Sequence, residues 1–121
     1  MESWLLPAWL HPFRAQIHFT GWLTPQQLTT WYQAADILVV PSCYEPFKMV
    51  ILEGMLHGVA IAASAIGGPS EILEHKRTGL LFPPRNAKAL ADAILQLVSN
   101  PAQCVQFGAA GSREVRKKWL W

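Results

Sequence analysis

Three short, unbroken apolar runs constrain this chain most: "DILVVP" at 36–41, "VAIAAS" at 59–64 and "TGLLFPP" at 78–84. A strand with one wet face alternates apolar and polar residues, and these runs do not. They predict strands buried on both faces, as in a parallel sheet. Between them lie segments with helix chemistry. In "TPQQLTTWYQAA", Thr24 suits the cap, Pro25 the first helical position and Gln27 the return arm of a capping box. Leu28, Trp31, Tyr32 and Ala35 form the predicted inner face. "MVILEGMLHG" reads as a helix closed by Gly58, and "IGGPSEILEH" as a glycine turn entering a short helix. Asn86 is placed to cap a helix in which Ala87, Leu90, Ala91, Ile94, Leu97 and Val98 share a face, and Pro101 opens a last helix ending near Trp119. A further strand, "QIHFT" over Gln16–Thr20, is expected ahead of all of these. Strands alternating with helices predict an α/β chain with a parallel, doubly wound sheet. No repeat or low-complexity linker divides residues 1–121, which are expected to form one unit.

Composition removes several functions. With 51% hydrophobic and 15% charged residues, the 121-residue chain has the makings of one modest core and not of a disordered segment. A net charge of +2 without a basic stripe argues against nucleic acid. The short "KRT" and "REVRKK" clusters read as a solvated turn and helix face. Cys43 and Cys104 show no CxxC spacing, so no zinc or redox motif is expected, and two reduced thiols suit a cytoplasmic protein. The oily stretch 49–66 is interrupted by Glu53, His57 and two glycines, and reads as helix then strand, not a membrane span. The start, "MESWLLPAWLHPF", lacks a basic n-region and a cleavage site, which argues against a signal peptide. Its tryptophans leave open a contact with a membrane surface or with a further domain.

Ligands of open parallel sheets bind beyond the carboxyl ends of the strands. Three loops leave such ends here: "PSCYEPFK" after Val40, "SAIGGPSE" after Ala63 and "PPRN" after Phe82. The first leads to two glutamates eight positions apart, Glu45 and Glu53. A pair hydrolysing a glycoside needs a separation of roughly 5 Å or roughly 6.5–9.5 Å. A wholly helical segment of that length would rise about 12 Å, so such a pair is disfavoured even with Glu45 in the turn. A metal site is weaker still, because His57 follows Glu53 by four residues without a third ligand. The remaining functional reading puts the carboxylates at two ends of a polyhydroxylated ligand such as a sugar nucleotide. Phosphates between those ends would take backbone N–H groups, with Phe47, Lys48, Met49, Gly67 and Gly68 as candidates and the Lys48 ammonium as an added charge. The plain alternatives are a solvated turn residue for Glu45, a surface helix position for Glu53 and a simple tight turn for Gly67–Gly68. His18, His57 and His75 are read as an exposed strand residue, a helix-end residue capping carbonyls and a polar-turn residue, none of them catalytic.

"PSCYEPFKMVILEGMLHG", followed by "IGGPSEIL" and "TGLLFPP", resembles the C-terminal half of the GT-B fold, family 4 retaining glycosyltransferases, relatives of sucrose and glycogen synthases. The resemblance runs from about Ile17 to the end of the chain. It rests on the E-x7-E pair Glu45 and Glu53, the preceding Pro41-Ser42, the GGxxE pattern of Gly67, Gly68 and Glu71, and the downstream TGLL, in family order and spacing. It implies a partial Rossmann-like sheet, strands 3 to 6 of the order 3-2-1-4-5-6. It implies a nucleotide-sugar donor, UDP-, GDP- or ADP-linked, whose sugar is transferred with retention and without a metal or other cofactor. Glu45 would lie beside the donor sugar as the catalytic carboxylate, Glu53 would accept hydrogen bonds from the ribose, and the backbone of Phe47 to Met49 would approach sugar and diphosphate. In the family an acceptor domain and the first two donor-domain strands, with a basic diphosphate clamp, precede this region. The chain alone is therefore expected to be inactive, with an open strand edge suited to self-association. A non-catalytic remnant or interaction module is the alternative. Three positions depart from the family: Lys48 replaces a glycine, Ala60 a proline, and Gly54 an alanine, the last loosening its helix by about 1 kcal/mol.

Overall fold

A computed structural model describes residues 12–13, 15–42 and 48–119. Helix α1 covers Pro25–Ala34 and begins as its sequence dictates: the Thr24 hydroxyl accepts from the Gln27 N–H, the Gln27 side chain accepts from the Thr24 N–H, and Pro25 fills the first turn. Strand β1 (Ile37–Val40) follows, then α2 (Lys48–Leu56), β2 (Ala60–Ser64), α3 (Gly67–Ile72), β3 (Leu80–Phe82), α4 (Ala87–Val98) and α5 (Pro101–Lys118). Gly58 ends α2 because it takes φ +71°, a left-handed conformation that costs a glycine nothing. Asn86 and Asn100 cap α4 and α5 by accepting from the N–H groups of Ala89 and Gln103.

The strands form a parallel sheet in the order β1-β2-β3, with Val40 beside Ala63 and Ser64 beside Phe82. Every residue of β2 is buried. Its alternate side chains feed two cores. Ile61 and Ala63 meet Ile51, Met55, Ile72, Leu73 and Val115 on one face, and Ala62 meets Leu80, Phe82, Ala93, Leu97 and Phe107 on the other. Helix α5 serves both cores, through Val115 and Phe107, so the sheet is covered on both sides as the continuous apolar runs require.

Four expectations need correction. Residues 17–20 form no strand. The expected order would set two strands between this segment and β1, and among the described residues no strand precedes β1, so no ladder holds it. Strand β1 is an edge, half-buried until Val40, instead of doubly covered. In α1 the inner face narrows to Tyr32, leaving Trp31 49% exposed and Ala35 exposed. In α4 the buried side chains are Ala93 and Leu97, with Leu90 packed beside them, while Ala87, Ala91 and Val98 face outward. A 3.6-residue period identifies a stripe, but the neighbour decides which part of the stripe it covers.

Candidate functional site

Parallel strands place the three predicted loops on one rim. Pro41 and Ser42 leave β1, and α2 returns from that rim with Lys48 as its first residue. Glu45 and Phe47 lie outside the described residues, as does the Lys48 side chain. Met49 is well exposed at the start of α2. Glu53 sits five residues beyond Lys48, about 8 Å down the helix, and is half-buried.

A neighbour that the sequence reading did not assign lies beside Glu53. Tyr32 reaches across from α1 towards the Glu53 side of α2: burial, then the nearby Glu53 charge and hydrogen bonding to it, push the Tyr32 phenol up to about 12. The Tyr32 ring also stacks on His57, with centroids 5.6 Å apart and planes 15° from parallel. Glu53 and His57 are four residues apart and share one side of α2, which is why one tyrosine meets both. His57, expected only to cap carbonyls, thus serves as a packing plate. Helical spacing marked Tyr32 as an inward residue, but a contact between two elements is not written in either segment.

Gly67 and Gly68 follow the carboxyl end of β2. They were expected as a turn ahead of a helix and instead form the first turn of α3 itself. Gly68 is buried and Gly67 half-buried. First-turn amides have no intrahelical acceptor, and Ile66, the cap residue, supplies no side-chain oxygen. Nearby, the buried Ser64 hydroxyl makes a long hydrogen bond of 3.5 Å to the Val40 carbonyl and ties the ends of β1 and β2.

A cavity of about 280 Å³ lies on this rim, lined by Pro41, Ser64, Phe82, Arg85, Asn86, Ala87 and Leu90. It touches the exits of all three strands and the start of α4. Arg85 holds φ +57° there, an uncommon conformation for a residue with a Cβ. The "PPRN" loop was placed on this rim from sequence, but Arg85 and Asn86 were not singled out. Prolines ending an apolar strand ahead of an Arg-Asn pair were the available signal. A larger cavity, about 510 Å³, lies at the opposite end of the strands against Asp36, Ile37, Gly58, Leu97 and Cys104. Size does not make it the better candidate, since ligands of such sheets gather at the carboxyl ends. The Cys104 thiol there donates to the Leu97 carbonyl at 3.2 Å, and burial, with a smaller push from Asp36, raises its pKa. Among the described residues no three His, Cys, Asp or Glu side chains gather as metal ligands.

A parallel sheet covered by helices on both faces defines a Rossmann-like α/β architecture. Residues 3–100 match the family model described as glycosyl transferases group 1, and the chain belongs to that family. It is 39% identical over 98 residues to a D-inositol 3-phosphate glycosyltransferase of Pseudarthrobacter chlorophenolicus, covering 80% of this chain and 23% of that protein. The structure is similar to sucrose-phosphate synthase of Thermosynechococcus elongatus, a GT-B glycosyltransferase, with a TM-score of 0.85 and 36% identity over 93% of this chain and 29% of that one. It is also similar to the Anabaena protein HepE solved with UDP-glucose, at TM-score 0.69 and 28% identity over 77% of this chain and 25% of that one. The chain therefore spans less than a third of the length of each of these three proteins.

Proposed function

We propose that this chain is the donor-binding part of a retaining glycosyltransferase and that its carboxyl rim takes a nucleotide sugar. Glu53 accepts hydrogen bonds from the ribose hydroxyls. The amides of Phe47, Lys48 and Met49, with those of Gly67 and Gly68, face the diphosphate, and Glu45 stands beside the sugar as charge develops at its anomeric carbon. No metal is required, because amide dipoles and the start of α2 take its place at the phosphates. Acceptor recognition and turnover belong to a preceding domain, as in the family the sequence resembles.

The observation that carries this reading is the setting of Glu53. A carboxylate half-buried on a largely apolar helix is costly without partners, and a vicinal diol is a fitting one. Family membership and the likeness to a protein solved with UDP-glucose support the ligand class. A second reading, a non-catalytic interaction module, draws on the exposed Phe19, Trp22 and Trp31.

Calorimetric titration of the chain with UDP-, GDP- and ADP-sugars separates the two. The donor reading expects weak binding of at least one nucleotide sugar, lost in Glu53→Ala. Undiminished binding by that variant would remove Glu53 from the site. Failure of all three donors to bind would favour the interaction module.

A further inference from the structure

We propose that His75 is a pH-sensitive latch on the outer edge of β3: its neutral imidazole holds the Leu81 N–H, and a proton on the ring releases it. Strand β3 ends the order β1-β2-β3 and has β2 on one side only. Successive residues of a strand turn their N–H and C=O groups to opposite sides. The Phe82 carbonyl accepts from the Ala65 N–H at 2.7 Å, on the β2 side. Gly79, Leu81 and Pro83 therefore present their backbone groups outward. Backbone closes the first of these positions: His75 and Gly79 form a parallel bridge, and the Gly79 carbonyl accepts from the Lys76 N–H at 2.7 Å. Pro83 has no N–H to offer. The Leu81 N–H is left, and it donates to Nδ1 of His75 at 2.9 Å. A strand edge with free N–H groups is a template for another strand, and here a side chain closes it.

The acceptor is a ring nitrogen, and that makes the closure conditional. A neutral imidazole accepts through its bare nitrogen, whereas an imidazolium carries two N–H groups and accepts nothing. A proton on Nδ1 would face the Leu81 N–H directly. The bond therefore stands on the alkaline side of the ring's titration and is lost on its acid side. His75 is exposed, so a proton reaches it without any opening of the core. The charged groups on the neighbouring elements are Glu71 on α3, Glu74, Lys76 and Arg77 on the turn itself, Glu114 and Lys118 on α5, and Arg85, Lys88 and Asp92 beyond β3. Arg77 pairs with Glu74 and Glu114, Lys118 with Glu114, and Lys88 with Asp92. Set beside these residue types, only a histidine ordinarily changes charge between about pH 5 and 8. The Thr78 hydroxyl accepts from the Glu74 N–H at 2.8 Å, and this bond and the Arg77 ion pairs do not depend on the imidazole. Acid thus frees the edge of β3 without detaching the turn.

The test is nuclear magnetic resonance of the full chain from about pH 5 to 8, following the His75 ring and the Leu81 amide in wild type, His75→Asn and His75→Leu. An asparagine carbonyl accepts at any pH and a leucine at none. In wild type the Leu81 amide shift should move with the same midpoint as the His75 ring. Protection of that amide from hydrogen exchange, corrected for its intrinsic pH dependence, should fall about three- to tenfold on the acid side, the loss expected for one net hydrogen bond. His75→Asn should hold the protection constant across the range, and His75→Leu should show it low throughout. A Leu81 amide whose shift and protection ignore the His75 titration would overturn the latch. So would a His75→Asn protein with the wild-type pH dependence, because the other histidines remain in it and the change would then lie with another group. Circular dichroism checks the fold of each variant, and the asparagine variant decides the matter by itself should the leucine variant not fold.

Discussion

Replacing Gly108 and Gly111 by alanine, one at a time, sets helix propensity against tertiary contact within a single helix. Both glycines are buried in α5. Propensity alone predicts that either change stabilises the protein by up to about 1 kcal/mol. The surroundings disagree about Gly108. A Cβ there would overlap the Gly58 carbonyl oxygen and lie 2.9 Å from its carbon. That carbonyl belongs to backbone pinned by two hydrogen bonds, Gly58 N–H to Met55 at 3.0 Å and Val59 N–H to Gly54 at 3.0 Å. It cannot rotate aside, so α5 must lift from its seat and loosen the core around Met55 and Val115. Overpacking of this kind costs about 2–4 kcal/mol against the gain of about 1, leaving a net loss of roughly 1–3 kcal/mol. At Gly111 the new methyl would meet Met55 Cγ at 3.6 Å and the Thr78 oxygen at 3.7 Å, ordinary contacts. There the propensity gain survives, at roughly 0.5–1 kcal/mol. For a chain of this size the melting temperature should fall by roughly 4–12 °C in Gly108→Ala and rise by a few degrees in Gly111→Ala. Urea unfolding followed by circular dichroism would read both, with unchanged slopes confirming that stability alone has moved. A Gly108→Ala protein as stable as wild type would refute the close approach of α5 to the turn after α2.

The other expectations concern charge and the site. Because the folded Tyr32 phenol titrates near 12 and an unfolded one near 10, its contribution is intact below pH 10 and disappears as pH rises towards 12. Alkaline unfolding titrations should show a loss of roughly 2–3 kcal/mol over that window in wild type that Tyr32→Phe lacks. Hydrogen bonds from Lys118 and then Arg77 hold the Glu114 carboxyl below its ordinary range, and Arg77 also pairs with Glu74. That stabilisation is present above the ordinary carboxylate pKa and fades as pH falls through the lowered one. Glu114→Gln should therefore cost no more than about 1 kcal/mol at neutral pH and blunt the acid dependence measured by urea unfolding. Asn86→Ala should lower stability by about 1 kcal/mol in the same assay by uncapping α4. Nucleotide-sugar binding should be the same in EDTA and in magnesium; a requirement for the metal would contradict amide-based phosphate recognition.

Much of the fold was legible because its signals are local. A capping box, the Asn86 cap and Pro101 announce where α1, α4 and α5 begin, because each acts within its own first turn, and the structure adds an Asn100 cap on α5. Continuous apolar runs announced parallel strands. The failures were non-local. "QIHFT" has strand composition but no neighbour to pair with among the described residues, and strand propensity without a ladder does not hold a segment extended. Trp31 and Tyr32 are adjacent and both aromatic, yet α2 offers a partner only to the second. The glutamate pair and the double glycine stood out as a site in sequence, whereas Arg85 and Asn86 did not, because their importance comes from closing a cavity whose other walls are Pro41 and Ser64.

The order of elements, their ends and the rim on which the unusual residues gather were determined by the chain itself, through backbone hydrogen bonding and apolar period. Only the tertiary structure decided what Glu53 meets. A carboxylate on an apolar helix poses the same question in any sequence, and the answer here comes from a phenol contributed by another helix and steadied by His57. It likewise decided that Gly108 has a necessity Gly111 lacks, since the approach of two backbones is a property of the packed molecule and not of the helix that carries them both.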